Sequence, residues 1–239
     1  MEYKRKWRLT NELICKPPKY KGIPQYRIKY SHAQEMADDI EIPEDGERLF
    51  SIMSGRFIFG DLIEALFVKH NWHTKKLKIA TLSISQDNID SLQNLLDGGY
   101  VDSIELIISD YFYSHERHNL GLMKYLYENL DNGRLSVSVA GIHTKITQFI
   151  INENQRIVMH GSANLRSCDS IEQLVIENCQ ELYDFNCTWM DQITTDYATI
   201  RKPMRGNTLW QAVKAVEKVS GKTKRKHRLK NENQKGILD

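Results

Sequence analysis

Apolar residues in this chain fall into short β-like runs separated by helical stripes, beginning near residue 60. Leu62, Ile63, Leu66 and Phe67 repeat at i, i+1, i+4 and i+5, the stripe of an amphipathic helix over about 60–70. Asp61 stands near its start, where a carboxylate suits the free N–H groups. Residues 77–84 are rich in β-formers and put Leu77, Ile79 and Thr81 on one side. Ser85-Gln-Asp87 can cap a helix carrying Ile89, Leu92, Leu95 and Leu96, which Gly98-Gly99 ends. Residues 104–108 read as a second strand, 120–130 as a second helix closed by Asp131-Asn-Gly133, and 135–139 as a third strand. Strands alternating with amphipathic helices predict an α/β fold, a mixed and mostly parallel sheet with helices on both faces.

Beyond residue 140 the order changes. Residues 145–151 and 156–160 are β-like runs joined by the polar Asn152-Glu-Asn-Gln155, a hairpin signal. Residues 171–176 lean towards β, with a short helix as the alternative, and 184–200 looks helical. Pro203 and Gly206 precede a last amphipathic stripe of Trp210, Val213, Val216 and Val219. Pro17-Pro18, Gly22, Pro24, Pro43 and Asp45-Gly46 punctuate the start of the chain. The expected organisation is an irregular arm over 1–50, an α/β domain over 51–202, and a helix with a basic tail over 203–239.

Composition adds limits. A hydrophobic share of 41% and a charged share of 27% are those of an ordinary globular protein. No apolar run approaches the roughly 18 residues of a membrane span, so no membrane contact is expected. The first eight residues are charged and lack the apolar stretch of a secretory signal. Cys15, Cys168, Cys179 and Cys187 have neither CxxC spacing nor disulfide-framework density, so reduced thiols in a cytoplasmic protein are expected. No metal site stands out, and no cofactor is implied.

A net charge of +2 conceals a strong asymmetry. Residues 1–30 are basic, 35–47 acidic, and 222–230 strongly basic again. Clustered cations at the ends suit nucleic acid, DNA or RNA, because each phosphate contact releases counterions. A solvated tail is the plainer reading of the same charges.

Against this background His143-Thr-Lys145 and Gly161-Ser162-Ala163-Asn164 carry the chemistry. On a strand, residues i and i+2 share a face, so His143 and Lys145 are expected to project together. Phosphodiesters resist attack because their anionic oxygens repel nucleophiles. Lys145 and neutral donors from Ser162 and Asn164 would offset that charge while the imidazole attacks phosphorus. Gly161 would let the backbone approach the phosphate closely. Glu172 is the candidate carboxylate for orienting the imidazole through its other ring nitrogen. Arg166 either meets a neighbouring phosphate bidentately or is an exposed surface arginine.

These residues resemble the phospholipase D superfamily, whose signature is HxK(x)4D followed by GSxN. The resemblance covers roughly residues 55–180, including the βαβαβ order before the motif. It implies His143 as nucleophile, Lys145 and Asn164 as phosphate binders, and Glu172 as the orienting partner. Two departures are visible: Ile150 stands at the family's Asp position, and the gap between Lys145 and Gly161 is long. The resemblance implies a metal-independent phosphodiesterase forming a covalent phosphohistidine, and the basic ends favour a nuclease. A nucleic-acid-binding protein without turnover and a phospholipid-directed hydrolase are the alternatives.

The mechanism calls for a second imidazole as general acid. With one motif per chain, a two-fold homodimer would supply it by placing two copies of one patch face to face. Otherwise it comes from His160, or from His115 or His118 in the expected loop after the second strand. That loop follows a strand's C-terminal end, where ligands of open α/β sheets bind.

Overall fold

The structure, a computed structural model, describes residues 25–30, 32–53, 58–116, 134–166, 170–196 and 199–200. In chain order they form β1 (Gln25–Tyr30), α1 (Ala33–Asp39), β2 (Arg48–Met53), α2 (Phe59–His70), β3 (Leu77–Thr81), α3 (Gln86–Asp97), β4 (Ile104–Ser109) and α4 (Asp110–Glu116). There follow β5 (Leu135–Ala140), β6 (Ile146–Ile151), β7 (Gln155–Gly161), β8 (Glu172–Asn178), α5 (Gln180–Asp196) and β9 (Thr199–Ile200).

Among the described residues the nine strands make one sheet in the order β1-β2-β8-β7-β6-β3-β4-β5-β9. Only β1–β2, β3–β4 and β4–β5 pair in parallel. The other five pairings are antiparallel, which corrects the expectation of a mostly parallel sheet. The reason is connection length: a parallel pair needs a crossover of a dozen residues or more. β6 and β7 are instead joined by three residues, with Asn152 and Glu153 both at positive φ (49° and 63°). That left-handed pair makes the tight hairpin signalled by the polar tetrapeptide.

The arm expected over 1–50 is also corrected where it is described. β1, α1 and β2 belong to the fold, and Met36, Ala37, Ile40 and Leu49 are wholly buried in its core. Pro and Gly punctuation masked strands only about six residues long. His115 and Glu116, expected in a loop, belong to α4. α5 ends at Asp196, short of the expected 200. The expected helices at 120–130 and 210–219, residues 1–24 of the basic N-terminal stretch and the basic C-terminal stretch lie outside the described residues.

Helices cover both faces of the sheet, as expected. On the first face α2 inserts Leu62, Ile63, Leu66 and Phe67, all fully buried with Ile79, Phe149 and Ile157 of the strands. Each such side chain contributes about 1.5–3 kcal/mol by burial. On the second face α5 packs Trp189, Met190 and Ile193 on Ala80, Ile107 and Ala140. Beneath it lies a charge network centred on the buried Lys78. Lys78 bonds Asp191 of α5 and lies 3.2 Å from Glu105, which also meets Lys76 at 2.6 Å. No described helix is long and apolar enough to cross a membrane.

Candidate active site

The site is built where the parallel and antiparallel halves of the sheet meet. β5 ends at Ala140, paired with Ser109 at the end of β4, while β6 starts at Ile146, paired with Ala80 near the end of β3. The chain therefore crosses from β5 past the ends of β4 and β3. Three strand spacings of about 4.8 Å make about 14 Å, well within the reach of six residues. His143, midway in this segment, lies over the C-terminal ends of the parallel strands.

His143 and Lys145 are thus on irregular backbone just before β6, not on the strand as expected. Their side chains still meet. Lys145 Nζ lies 2.9 Å from His143 Nδ1 and donates to the His143 carbonyl, also at 2.9 Å. An ammonium can only donate, so Nδ1 accepts and the ring proton sits on Nε2. Lys145 is half-buried, and burial pushes its pKa below the ordinary lysine value, with the Glu172 charge opposing.

The second half of the motif arrives through the β6–β7–β8 meander. β7 ends at Gly161, opposite Leu174, so Ser162 faces the start of β8. Ser162 N–H donates to the Gln173 carbonyl and Gln173 N–H to Ser162 Oγ, each at 2.9 Å. The Ser162 hydroxyl donates to Glu172 Oε2. Glu172 therefore holds Ser162, while His143 Nδ1 faces Lys145. Gly161 has a structural reason of its own: a Cβ there would lie 2.0 Å from the Gln173 carbonyl oxygen. The neighbouring strand, and not only an incoming phosphate, requires glycine.

Asn164 and Leu165 are fixed to the end of β3. Leu165 N–H donates to Thr81 Oγ1 at 3.2 Å, and Ser85 N–H to the Leu165 carbonyl at 2.7 Å. The Asn164 side-chain oxygen is buried with no hydrogen-bond partner among the described residues. A buried acceptor left in that state costs about 1–3 kcal/mol. Arg166 is exposed just beyond. Among the described residues, no group of three or more His, Cys, Asp or Glu could hold a metal ion.

Two sequence candidates fall elsewhere. His160 lies between Met159 and Gly161 on β7, and alternation turns it away from the face that buries Met159. It bonds buried Glu177 at 2.7 Å on the α5 side of the sheet. Ile150 lies near the far end of β6, about 17 Å along the strand from Lys145. There it lines a cavity of about 470 Å³ with His73, Lys76 and Tyr183. His115 is on α4, its ring against Tyr111, and His118 lies outside the described residues. The sequence reading missed the Thr81 and Ser85 contacts. Their signal, small hydroxyl residues at a strand end, is too common to single out.

No protein-family model and no curated protein sequence matches the chain. Among solved structures it is similar to a phospholipase D family member, Nuc, from Salmonella typhimurium, at 16% identity and TM-score 0.43, over 54% of this chain and 84% of that one. NucT from Helicobacter pylori matches at 15% and 0.40, over the same shares of the two chains. Phosphatidylserine synthase from Haemophilus influenzae matches at 17% and 0.48, over 79% of this chain but only 48% of the synthase. At such identities, with every TM-score below 0.5, the likeness assigns this chain neither a family nor a residue's role.

Proposed function

We propose that this chain is a metal-independent phosphodiesterase acting on nucleic acid through a covalent phosphohistidine at His143. The observation that carries this reading is the ammonium of Lys145 on the imidazole of His143, at the sheet edge to which Ser162, Asn164 and Glu172 also belong. A bound diester would draw Lys145 onto its non-bridging oxygens, releasing Nδ1 and the ring's proton arrangement for attack. The N–P bond forms as the bond to the leaving oxygen breaks, and an imidazolium protonates that oxygen. Water then attacks phosphorus, giving its proton to the same imidazole, and the N–P bond breaks. The acid is assigned to His143 of a second copy in a two-fold homodimer, since His160 points to the other side of the sheet. Polynucleotide preference rests on the basic ends of the sequence.

The test is cleavage of single- and double-stranded DNA and RNA in EDTA, with His143→Ala beside the wild type. EDTA-resistant cleavage lost in the variant, with acid-trapped phosphate on the wild-type protein, supports the proposal. Tight, salt-sensitive binding without cleavage would favour a binding protein, and turnover of phospholipid alone a lipid hydrolase. A monomer that cleaves at assay concentration would refute the shared site.

A further inference from the structure

The described edge of the sheet carries an aromatic surface that the phosphodiesterase mechanism does not use. Tyr111 is 62% exposed, unusual for so large a ring. His115, one helical turn on, packs against it with ring centroids 4.0 Å apart and planes 36° apart. The pair is held in register, because His115 Nδ1 donates to the Tyr111 carbonyl at 2.7 Å. A carbonyl only accepts, so this nitrogen carries the proton. Neither ring belongs to the core clusters.

Topology brings this surface to the site. α4 begins directly at the end of β4, and Tyr111 stands two residues beyond Ser109. Ser109 pairs with Ala140, and His143 stands three residues beyond Ala140, on the segment that crosses the ends of β4 and β3. The helix that carries the rings and the segment that carries the imidazole–ammonium pair therefore leave the sheet at the same end of its parallel strands.

We infer that Tyr111 and His115 form a stacking platform for an unstacked nucleobase adjoining the phosphate held at His143 and Lys145. A nucleobase fits this surface because both of its faces are flat and apolar, while its sugar leads directly to a phosphate. A duplex keeps its bases stacked inside, so the platform selects single-stranded DNA or RNA. The proposal rests on the phosphodiesterase reading for the site that it serves.

The test uses the full chain and three probes: a short single-stranded oligodeoxynucleotide containing 2-aminopurine, an abasic strand of equal length, and the matching duplex. The wild type and Tyr111→Phe should bind the base-bearing strand at least about fivefold more tightly than the abasic one, the weak end of base–aromatic stacking. Binding should also change the 2-aminopurine fluorescence. Tyr111→Ala should erase that preference and leave abasic binding unchanged. If Tyr111→Ala lowers the melting temperature, His115→Ala, which removes the second ring, should still reduce the preference. Equal wild-type affinity for base-bearing and abasic strands would overturn the proposal. So would a preference that survives both substitutions, or duplex bound as tightly as single strand. All these readouts are of binding, so absence of cleavage in the wild type would overturn the phosphodiesterase reading separately.

Discussion

Gly161→Ala separates a structural glycine from a phosphate-approach glycine. The added Cβ would stand 2.0 Å from the Gln173 carbonyl oxygen, 2.9 Å from its carbon and 3.2 Å from Leu174 Cα. All three neighbours are backbone, so no flexible side chain can yield. A Cβ contact below 3.0 Å is not tolerated, and β7 and β8 must part locally by about 1 Å. The Ser162 N–H bond to Gln173, now 2.9 Å, would then stretch beyond hydrogen-bond range. The reciprocal bond from Gln173 N–H to Ser162 Oγ would weaken with it. Two lost bonds at about 1 kcal/mol each and about 1–3 kcal/mol of overpacking make about 3–5 kcal/mol.

For a domain of this size that lowers Tm by roughly 6–20 °C, read by circular dichroism or calorimetry. Gly99→Ala is the control: nothing lies within 4 Å of its Cβ, and only its φ of +72° resists. It should cost about 1–2 kcal/mol. A Gly161→Ala protein melting within about 2 °C of wild type would refute the clash and restore phosphate approach as the reason for glycine.

Two further predictions concern charge. On the proposed reading Lys145 binds phosphate as an ammonium, and burial depresses its pKa, so activity should fall on the alkaline side below the ordinary lysine value of about 10.4. Lys145→Arg should lose rate but also that limb, and Glu172→Gln should move the limb lower still. An alkaline limb identical in all three proteins would refute the assignment. Lys78→Met should destabilise by about 1–3 kcal/mol in denaturant titration, because it removes the buried ammonium shared by Asp191 and Glu105 and leaves Glu105 with Lys76 alone. Burial raises the Glu105 pKa, but Lys76 and Lys78 outweigh it and the net shift is downward. That stability is present above the unfolded carboxyl value of about 4.3 and is lost as pH falls through the lower folded value. The variant should therefore show a smaller loss of stability in acid, and an unchanged acid dependence would refute the network's role.

Much of the fold was legible because helical stripes and turn residues act locally. Leu62, Ile63, Leu66 and Phe67 name the buried side of α2 without tertiary knowledge, and Gly98-Gly99 marks the end of α3. Strand direction was not legible in the same way. β6 pairs with β3 across two described helices and two strands of sequence, and no local pattern encodes that pairing. The alternation read along β3 also missed that all five of its residues are buried, since α5 covers the face opposite α2. Short strands β1 and β2 were hidden by nearby Pro and Gly, whose turn preference says nothing about six residues away.

The site was legible as a set of residue types, but its wiring came from topology. His143 and Lys145 meet although neither is on a strand, because five residues must bridge the ends of β4 and β3 before β6 begins. Glu172 reaches Ser162 because Gly161 lets β8 approach β7 so closely. Ile150 looked like a missing catalytic carboxylate, yet it lies near the other end of β6, where its loss removes no group from the vicinity of His143. Sequence spacing treats all these positions as equally near the histidine. The sheet separates them into one edge, which holds His143, Lys145, Ser162, Asn164 and Glu172, and a body that holds Ile150 and His160. His160 thus faces away from this edge, and on the proposed reading a second copy of the chain brings the acid to it.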